Sequence, residues 1–100
     1  MYIVNLTYIK PLENIDALLE EHVEFLTRQY EKGIFVASGR KVPRTGGIIL
    51  VRNISLAELE EVLAEDPFNI NKVANYEVTQ FIPTMMAAGF EGLKDEPAQS

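Results

Sequence analysis

One histidine and one aspartate are the residues of this chain best suited to acid–base chemistry. His22 is the only histidine and lies in the stretch EEHVEFL, while Asp66 lies in VLAEDPFNI, directly before Pro67. Imidazole titrates near neutral pH, and a carboxylate that binds one ring nitrogen leaves the other free to take or give a proton. Paired in this way, the two side chains would suit proton abstraction beside a carbonyl, isomerisation, or elimination of a leaving group.

Both residues also have ordinary structural explanations. A histidine on an apolar helical stripe is often a hydrogen-bonded core residue. An aspartate before proline is a good helix N-cap, and the residue before proline tends to end the preceding helix. Capping and orienting an imidazole are compatible, because a carboxylate has two oxygens. The residues alone therefore leave a structural and a catalytic role open for His22 and for Asp66.

Four further residues are candidates for contacting a ligand. Ser38, at a strand end beside Gly39, offers a hydroxyl to a ligand or to the dyad. A nucleophilic serine would need a nucleophile elbow, which is missing, and bonding to local backbone explains the serine equally well. Arg40 and Arg44 could attract a carboxylate or phenolate substrate, or belong to a solvated loop. Phe68 could line a pocket or pack in the core.

Composition and charge argue against several other functions. The chain has no cysteine, which excludes disulfides and thiolate metal sites, and one histidine with carboxylates is a poor donor set for zinc. The net charge is −6, from 9 basic and 15 acidic residues, and no basic stripe is present, so nucleic-acid binding is not expected. No glycine motif for a dinucleotide or phosphate occurs, and we expect no cofactor.

Length and hydropathy set the expected organisation. A chain of 100 residues fits one domain, which we expect over residues 1–93, with residues 94–100 (KDEPAQS) as a flexible tail. No apolar run approaches the ~20 residues that span a bilayer, and MYIVNLTYIK does not resemble a signal peptide. The expected location is therefore cytoplasmic, without membrane contact.

Two helices are predicted to position the candidate residues. The first covers residues 12–32, with Asn14 as a plausible N-cap and Gly33 as its stop. Ser55 and Glu58 form a capping box at the start of the second, which ends near residue 65, and a short helical turn follows Asp66. At about 100° per residue, the first helix carries an apolar stripe with the histidine at its centre. That stripe consists of Ile15, Leu18, Leu19, His22, Leu26 and Tyr30.

Runs of β-branched and aromatic residues predict four strands, at residues 2–9, 34–38, 48–52 and 76–82. The order of elements is that of an α+β protein with the ferredoxin-like βαββαβ arrangement and an antiparallel four-stranded sheet. Both helices would cover one face of this sheet. The second and third strands are apolar on both faces, so the other face also needs a cover. A second copy of the chain is the simplest candidate, and we expect a homodimer through the sheet faces, possibly within a higher oligomer.

Four short motifs occur in order on matching elements: the mid-helix His22, ASG at residues 37–39, the apolar strand GGIILV, and DPF at residues 66–68. In the order and spacing of these motifs, the chain resembles the YCII-related (YciI-like) family over roughly residues 2–90. The resemblance implies a dimeric α+β barrel and an active site built around a His–Asp pair, which maps onto His22 and Asp66. It also implies distant kinship with muconolactone isomerases and with a chlorinated-hydroquinone dehydrochlorinase. Here Arg40 follows the Ser-Gly, where many members carry proline.

The residues thus fit two functions of different classes. The first is a small-molecule enzyme of lyase or isomerase type, in which Asp66 orients His22 for acid–base work and Ser38 assists. The second is a non-catalytic dimer that binds a small ligand or regulates other proteins. A monooxygenase of the dimeric barrel type would share only the architecture. A hydrogen-bonded His22–Asp66 pair beside an open pocket would favour the enzyme.

Overall fold

The computed structural model describes residues 1–94 of the chain. Its elements follow the predicted order, and β2 extends two residues beyond its predicted end, so that Arg40 lies in a strand rather than in the following loop. The elements are β1 (Tyr2–Tyr8), α1 (Leu12–Glu31), β2 (Phe35–Arg40), β3 (Gly46–Val51), α2 (Leu56–Ala64), α3 (Pro67–Ile70) and β4 (Ala74–Gln80), with a short 3-10 turn at Glu91–Leu93.

The four strands form one antiparallel sheet in the order β2-β3-β1-β4, which confirms the predicted α+β fold with its βαββαβ arrangement. Gly46 of β3 pairs with Thr7, at a point where a Cβ would lie 1.8 Å from the carbonyl oxygen of Leu6. Only glycine permits that approach. On the other side of β1, Leu6 pairs with Tyr76 of β4. Because directly paired residues share a face, Tyr76 points to the same side of the sheet as Leu6.

The ends of the helices follow local capping rules, with one departure from prediction. The assignment of Asn14 as the N-cap of α1 is wrong, because the helix begins two residues earlier and Pro11 occupies the capping position. The Pro11 carbonyl accepts the backbone N–H of Asn14. α1 ends at Glu31, and the predicted stop Gly33 follows its C-cap with a φ of 74°, a left-handed conformation that glycine adopts readily. The Ser55 hydroxyl caps α2 by accepting the Glu58 N–H, also as predicted.

The hydrophobic core lies between the helices and one face of the sheet. One face of β1 is buried, and α1 buries a stripe that is rotated from the predicted one. Leu19 and Tyr30 are more than a third exposed, because a cavity opens along the Leu19 side of the helix. The buried residues of β1 are Tyr2, Val4 and Leu6, and those of α1 are Ile15, His22, Phe25 and Gln29.

The opposite face of the sheet is apolar over β2, β3 and the start of β1, and polar along β4. Its strands carry Ile3, Ala37, Ile48 and Leu50, all of them partly or fully exposed, whereas their neighbours along each strand point into the core. A shallow groove of about 250 Å³ lies there between β2 and β3. The expectation that β2 and β3 carry apolar residues on both faces is confirmed for these positions.

No helix within residues 1–94 combines the length and the apolar character needed to cross a bilayer. The tail predicted over residues 94–100 lies outside the described residues, except for Lys94. The division into a domain of residues 1–93 and a tail stays a prediction.

Candidate active site

The imidazole of His22 is held inside the protein by the middle of α1. The residue is only 9% exposed. Residues three and four apart on a helix share a face, so Leu18, Phe25 and Leu26 lie beside it on the buried side. The ring centroid of Phe25 lies 6.3 Å from that of the imidazole. The helix therefore presents one polar ring within an apolar surface.

Asp66 occupies the junction between α2 and α3. Its extended backbone, with φ −68° and ψ 124°, places it outside both helices, as expected for a residue before proline. Pro67 starts α3, and the Asp66 side chain caps that helix by accepting the backbone N–H of Phe68 at 3.0 Å. Asp66 is fully buried. Since α3 packs on α1, the cap also brings the carboxylate to His22.

The predicted pair is formed: Nδ1 of His22 lies 2.8 Å from Oδ1 of Asp66. A carboxylate can only accept a hydrogen bond, so Nδ1 carries the proton and donates it. In the neutral ring this tautomer leaves Nε2 unprotonated, with a lone pair that can accept a proton. Asp66 is thus both a helix cap and the partner of an imidazole.

A third residue, Tyr76, completes the surroundings of Asp66. Its hydroxyl donates to Oδ2 at 2.5 Å, so the two carboxylate oxygens together accept hydrogen bonds from Tyr76, from His22 and from the Phe68 backbone. Burial and the neighbouring Asp66 carboxylate raise the pKa of Tyr76 above its ordinary value. Tyr76 therefore remains a neutral donor, and it holds the carboxylate in one orientation.

Phe68 sets the plane of the imidazole. The two rings stack with centroids 3.9 Å apart and an angle of 8° between their planes. Tyr8 packs edge-on against Phe68, with 6.0 Å between the two ring centroids. Because Phe68 directly follows the Asp-Pro pair, one short segment supplies the carboxylate, the helix start and the stacking ring.

His22 forms part of the wall of a cavity of about 490 Å³. That volume lies within the usual range for small-molecule sites. Among residues 1–94, no group hydrogen bonds Nε2 of His22. The remaining wall is largely apolar, with Leu6, Leu19, Val23, Leu26, Ile48 and Ile49.

Ser38 lines the same cavity from β2. Its Oγ lies 2.7 Å from the hydroxyl of Tyr30 on α1. No hydrogen bond between Ser38 and His22 occurs in the described part of the chain, so a Ser–His–Asp triad is not assembled in this conformation. Ser38 is instead placed to hydrogen bond a ligand while Tyr30 occupies its other side.

Arg40 and Arg44 also line the cavity, but they differ in their partners. Nη2 of Arg44 lies 2.5 Å from Oδ1 of Asp16, and this hydrogen bond raises the pKa of Arg44. Arg40 makes no ion pair and no hydrogen bond through its side chain with any residue of the range 1–94. Phe68, which was also predicted to contact the substrate, borders the cavity as well.

Aspartate, glutamate and histidine side chains are the candidate metal ligands of this chain, which has no cysteine. Within residues 1–94, no three or more of them are grouped so that they could hold a metal ion.

Two tyrosines of this site were missed by sequence reasoning. Alternation along β4 places Tyr76 and Val78 on the same face of the sheet. Only the pairing of β4 with β1 shows that this face is the one covered by the helices, where Asp66 lies. Tyr30 was assigned to the apolar stripe of α1, yet its hydroxyl meets Ser38 across the interface between α1 and β2.

Comparison with known proteins agrees with this architecture. The family model described as "YCII-related domain" matches residues 1–82, a range that includes the dyad, Tyr76 and the residues of the cavity. No curated protein matches the chain. Because the matched range is most of the sequence, the chain belongs to the YCII-related domain family.

Proposed function

We propose that the protein is an acid–base enzyme that acts on a small organic molecule held in the cavity. The observation that carries the proposal is the 2.8 Å hydrogen bond between His22 and Asp66, on a ring that borders a cavity of about 490 Å³. A positioned imidazole contributes roughly 10²–10⁴-fold to the rate of a proton transfer. The reaction class is proton abstraction, followed by isomerisation or elimination.

In this proposal Nε2 of His22 takes a proton from a carbon beside a carbonyl group. The electrons of the broken C–H bond pass into the carbonyl to give an enolate, and Asp66 stabilises the imidazolium that forms. In an isomerisation the imidazolium returns the proton to a different carbon. In an elimination the electrons form a double bond, and a leaving group such as chloride departs with its own electron pair.

Substrate contacts are assigned to Ser38, Arg40, Arg44 and Phe68. The support is that all four line the cavity together with His22. Ser38 would donate its hydroxyl hydrogen to the substrate, and the arginines would attract a negatively charged group. Phe68 contributes an apolar wall and keeps the imidazole in plane.

The acid–base proposal is tested by hydrogen exchange. The protein is incubated in D₂O with a panel of small ketones, keto acids, unsaturated lactones and chlorinated phenols. Proton NMR then reports loss of signal at carbon, and a chloride assay reports elimination. We expect exchange or chloride release with at least one compound, and a loss of about 10²-fold or more of that activity in His22→Gln.

A matched control is Glu21→Gln, which changes the neighbouring exposed residue of α1 and leaves the cavity wall intact. It should keep the activity of the unaltered chain. Activity that survives His22→Gln would contradict the proposal. No turnover across the panel, together with ligand binding that persists in the combined His22→Ala and Asp66→Asn variant, would favour the non-catalytic module instead.

We further propose that the protein works as a homodimer whose sheets pack face to face, possibly within a higher oligomer. The support is the apolar surface of Ile3, Ile48 and Leu50 on the side of the sheet away from the core. A surface of this kind is an association site in an aqueous environment. Sedimentation separates the outcomes, since a stable monomer at micromolar concentration would contradict the dimer.

A cytoplasmic location and one domain over residues 1–93 are proposed on composition and length. Fluorescence imaging of a tagged chain tests the first. Limited proteolysis tests the second, since cleavage should begin near residue 94 and leave the preceding residues intact.

A further inference from the structure

The charges around the cavity are not equivalent. Arg44 and Asp16 both line it, but they are bound to each other, so their charges largely compensate. Lys41 directs its Nζ to the hydroxyl of Thr7 at 3.2 Å. Thr7 alternates with Leu6 along β1 and so faces the other side of the sheet. Arg40 remains as the cation of the cavity wall without a carboxylate partner among residues 1–94.

Arg40 has a hydroxyl neighbour on the same strand face. Ser38 and Arg40 are two residues apart on β2, and their partners on β3 are Ile49 and Gly47, also two residues apart. Residues with this spacing point to the same side of a sheet, about 7 Å apart. Both border the cavity. Arg40 and Ser38 therefore belong to the same wall of the cavity.

The second tyrosine of the site orients that hydroxyl. Tyr30 OH and Ser38 Oγ are 2.7 Å apart. If Tyr30 donates, the Ser38 hydrogen is free to point at a ligand, and a donor bound in this way is strengthened by its partner. Ser38 and Arg40 then present two hydrogen-bond donors, which can bind the two oxygens of a carboxylate or the single oxygen of a phenolate.

Apart from His22 and the Arg44–Asp16 pair, the rest of the wall is largely apolar, with Leu19, Val23 and Leu26 along α1. Their side chains fit a hydrocarbon or aromatic body rather than a sugar or a peptide. From these observations we infer that the substrate is a small hydrophobic anion, an aromatic or unsaturated carboxylate or phenolate. Its charged group binds Arg40 and Ser38, and its apolar body lies along α1 towards His22. This inference rests on the acid–base function proposed above, because it takes the same cavity as the substrate site.

Binding of benzoate and of its neutral isostere benzamide tests the inference without any turnover. Amide chemical shifts of the ¹⁵N-labelled full chain are followed during titration with each compound, and the same spectra report whether each variant is folded. We expect benzoate to bind about tenfold more tightly than benzamide. In Arg40→Gln that preference should fall to within about twofold, while the affinity for benzamide stays unchanged.

The matched control is Lys41→Gln, which removes the neighbouring cation directed to Thr7 on the other side of the sheet and should keep the preference for benzoate. Asp16→Asn frees the Arg44 guanidinium and should tighten benzoate binding by a few-fold. The inference is overturned if benzoate does not bind, if benzamide binds equally well, or if Arg40→Gln keeps the preference. The inference is also overturned if Lys41→Gln abolishes the preference.

The failure of this inference differs from the failure of the acid–base function. His22→Gln should abolish exchange at carbon but keep the preference for benzoate. If the chain turns over a neutral substrate and its preference for benzoate does not depend on Arg40, only the inferred substrate class is wrong. If the chain selects benzoate through Arg40 but turns over no compound, only the proposed catalytic function is wrong.

Discussion

The hydroxyl of Tyr76 donates a hydrogen bond of 2.5 Å to Oδ2 of Asp66, the carboxylate oxygen that His22 does not use. Tyr76 comes from β4 and His22 from α1, so the sheet and the helix layer both hold the same carboxylate. The geometry of the dyad therefore depends on the pairing of β1 with β4, which places Tyr76 opposite Leu6. Several measurable consequences follow from this arrangement.

Replacing Tyr76 by phenylalanine removes the donor to a buried carboxylate. Hydrogen bonds to charged groups contribute about 1.5–3 kcal/mol, and we expect the free energy of unfolding to fall by that amount. Urea denaturation at neutral pH measures the change. Tyr30→Phe is the matched control, because its hydroxyl meets the exposed Ser38, and it should cost less than about 1 kcal/mol. Equal costs for the two variants would contradict the role given to Tyr76.

Stability at alkaline pH should depend on Tyr76. Its pKa is raised in the folded chain, by burial and by Asp66, above the value of about 10 that an unfolded tyrosine has. The folded state therefore keeps a proton that the unfolded state loses above pH ~10, and the free energy of unfolding falls there by up to about 1.4 kcal/mol per pH unit. Below pH ~10 this contribution is fully present.

The difference between the unaltered chain and Tyr76→Phe isolates this effect. Urea denaturation between pH 9 and 11 should show a steeper loss of stability for the unaltered chain, since the variant lacks the tyrosine proton. Parallel curves for the two proteins would mean that Tyr76 ionises in the folded state as it does in the unfolded one.

Asp66 should tolerate asparagine far better than alanine. Asparagine keeps an oxygen that can accept from His22 and from the Phe68 N–H, and its amide can donate to the Tyr76 hydroxyl oxygen. Alanine leaves those groups unpaired in a buried place and removes the cap of α3, at a cost of about 2–4 kcal/mol more than asparagine. Thermal or urea unfolding of both variants measures the difference. If both substitutions cost the same, the side-chain oxygen does not hold the junction between α2 and α3.

The proposed dimer predicts a sharp contrast between two leucines. Leu50 lies on the apolar sheet face away from the core, paired with Ile3. Leu56 lies on α2 and is 52% exposed. A lysine at position 50 would place a charge in a sheet-to-sheet interface and should yield a monomer at micromolar concentration, whereas Leu56→Lys should leave the oligomeric state unchanged. Sedimentation equilibrium decides between them, and a dimer that persists in Leu50→Lys would locate the interface elsewhere.

Much of the site followed from local sequence. The order of strands and helices indicated a fold in which both helices lie on one face of the sheet, and Asp-Pro marked the end of α2. Together these placed Asp66 within reach of His22, and the contact between them was confirmed at 2.8 Å. The capping box at Ser55 and the glycine stop at Gly33 were also correct, because caps and turns are decided by a few neighbouring residues.

The features that were missed depend on pairing between distant segments. Tyr76 reaches Asp66 only through the register of β4 against β1, and alternation alone does not fix that register. The buried stripe of α1 includes Phe25 and Gln29, which the apolar pattern did not select, because a cavity rather than the core faces Leu19. Arg40 was assigned to a loop, but hydrogen bonding to β3 extends the strand to it and turns the arginine into a wall of the cavity.

In the proposed mechanism, Asp66 fixes the imidazole of His22 with Nε2 free to exchange a proton with a ligand. Since the chain has a single histidine, ¹⁵N-histidine labelling gives signals from one imidazole only. Long-range ¹H–¹⁵N correlation spectra of the neutral ring measure which nitrogen carries the proton. We predict a protonated Nδ1 and an unprotonated Nε2. A neutral ring protonated at Nε2, with Nδ1 bare, would contradict it.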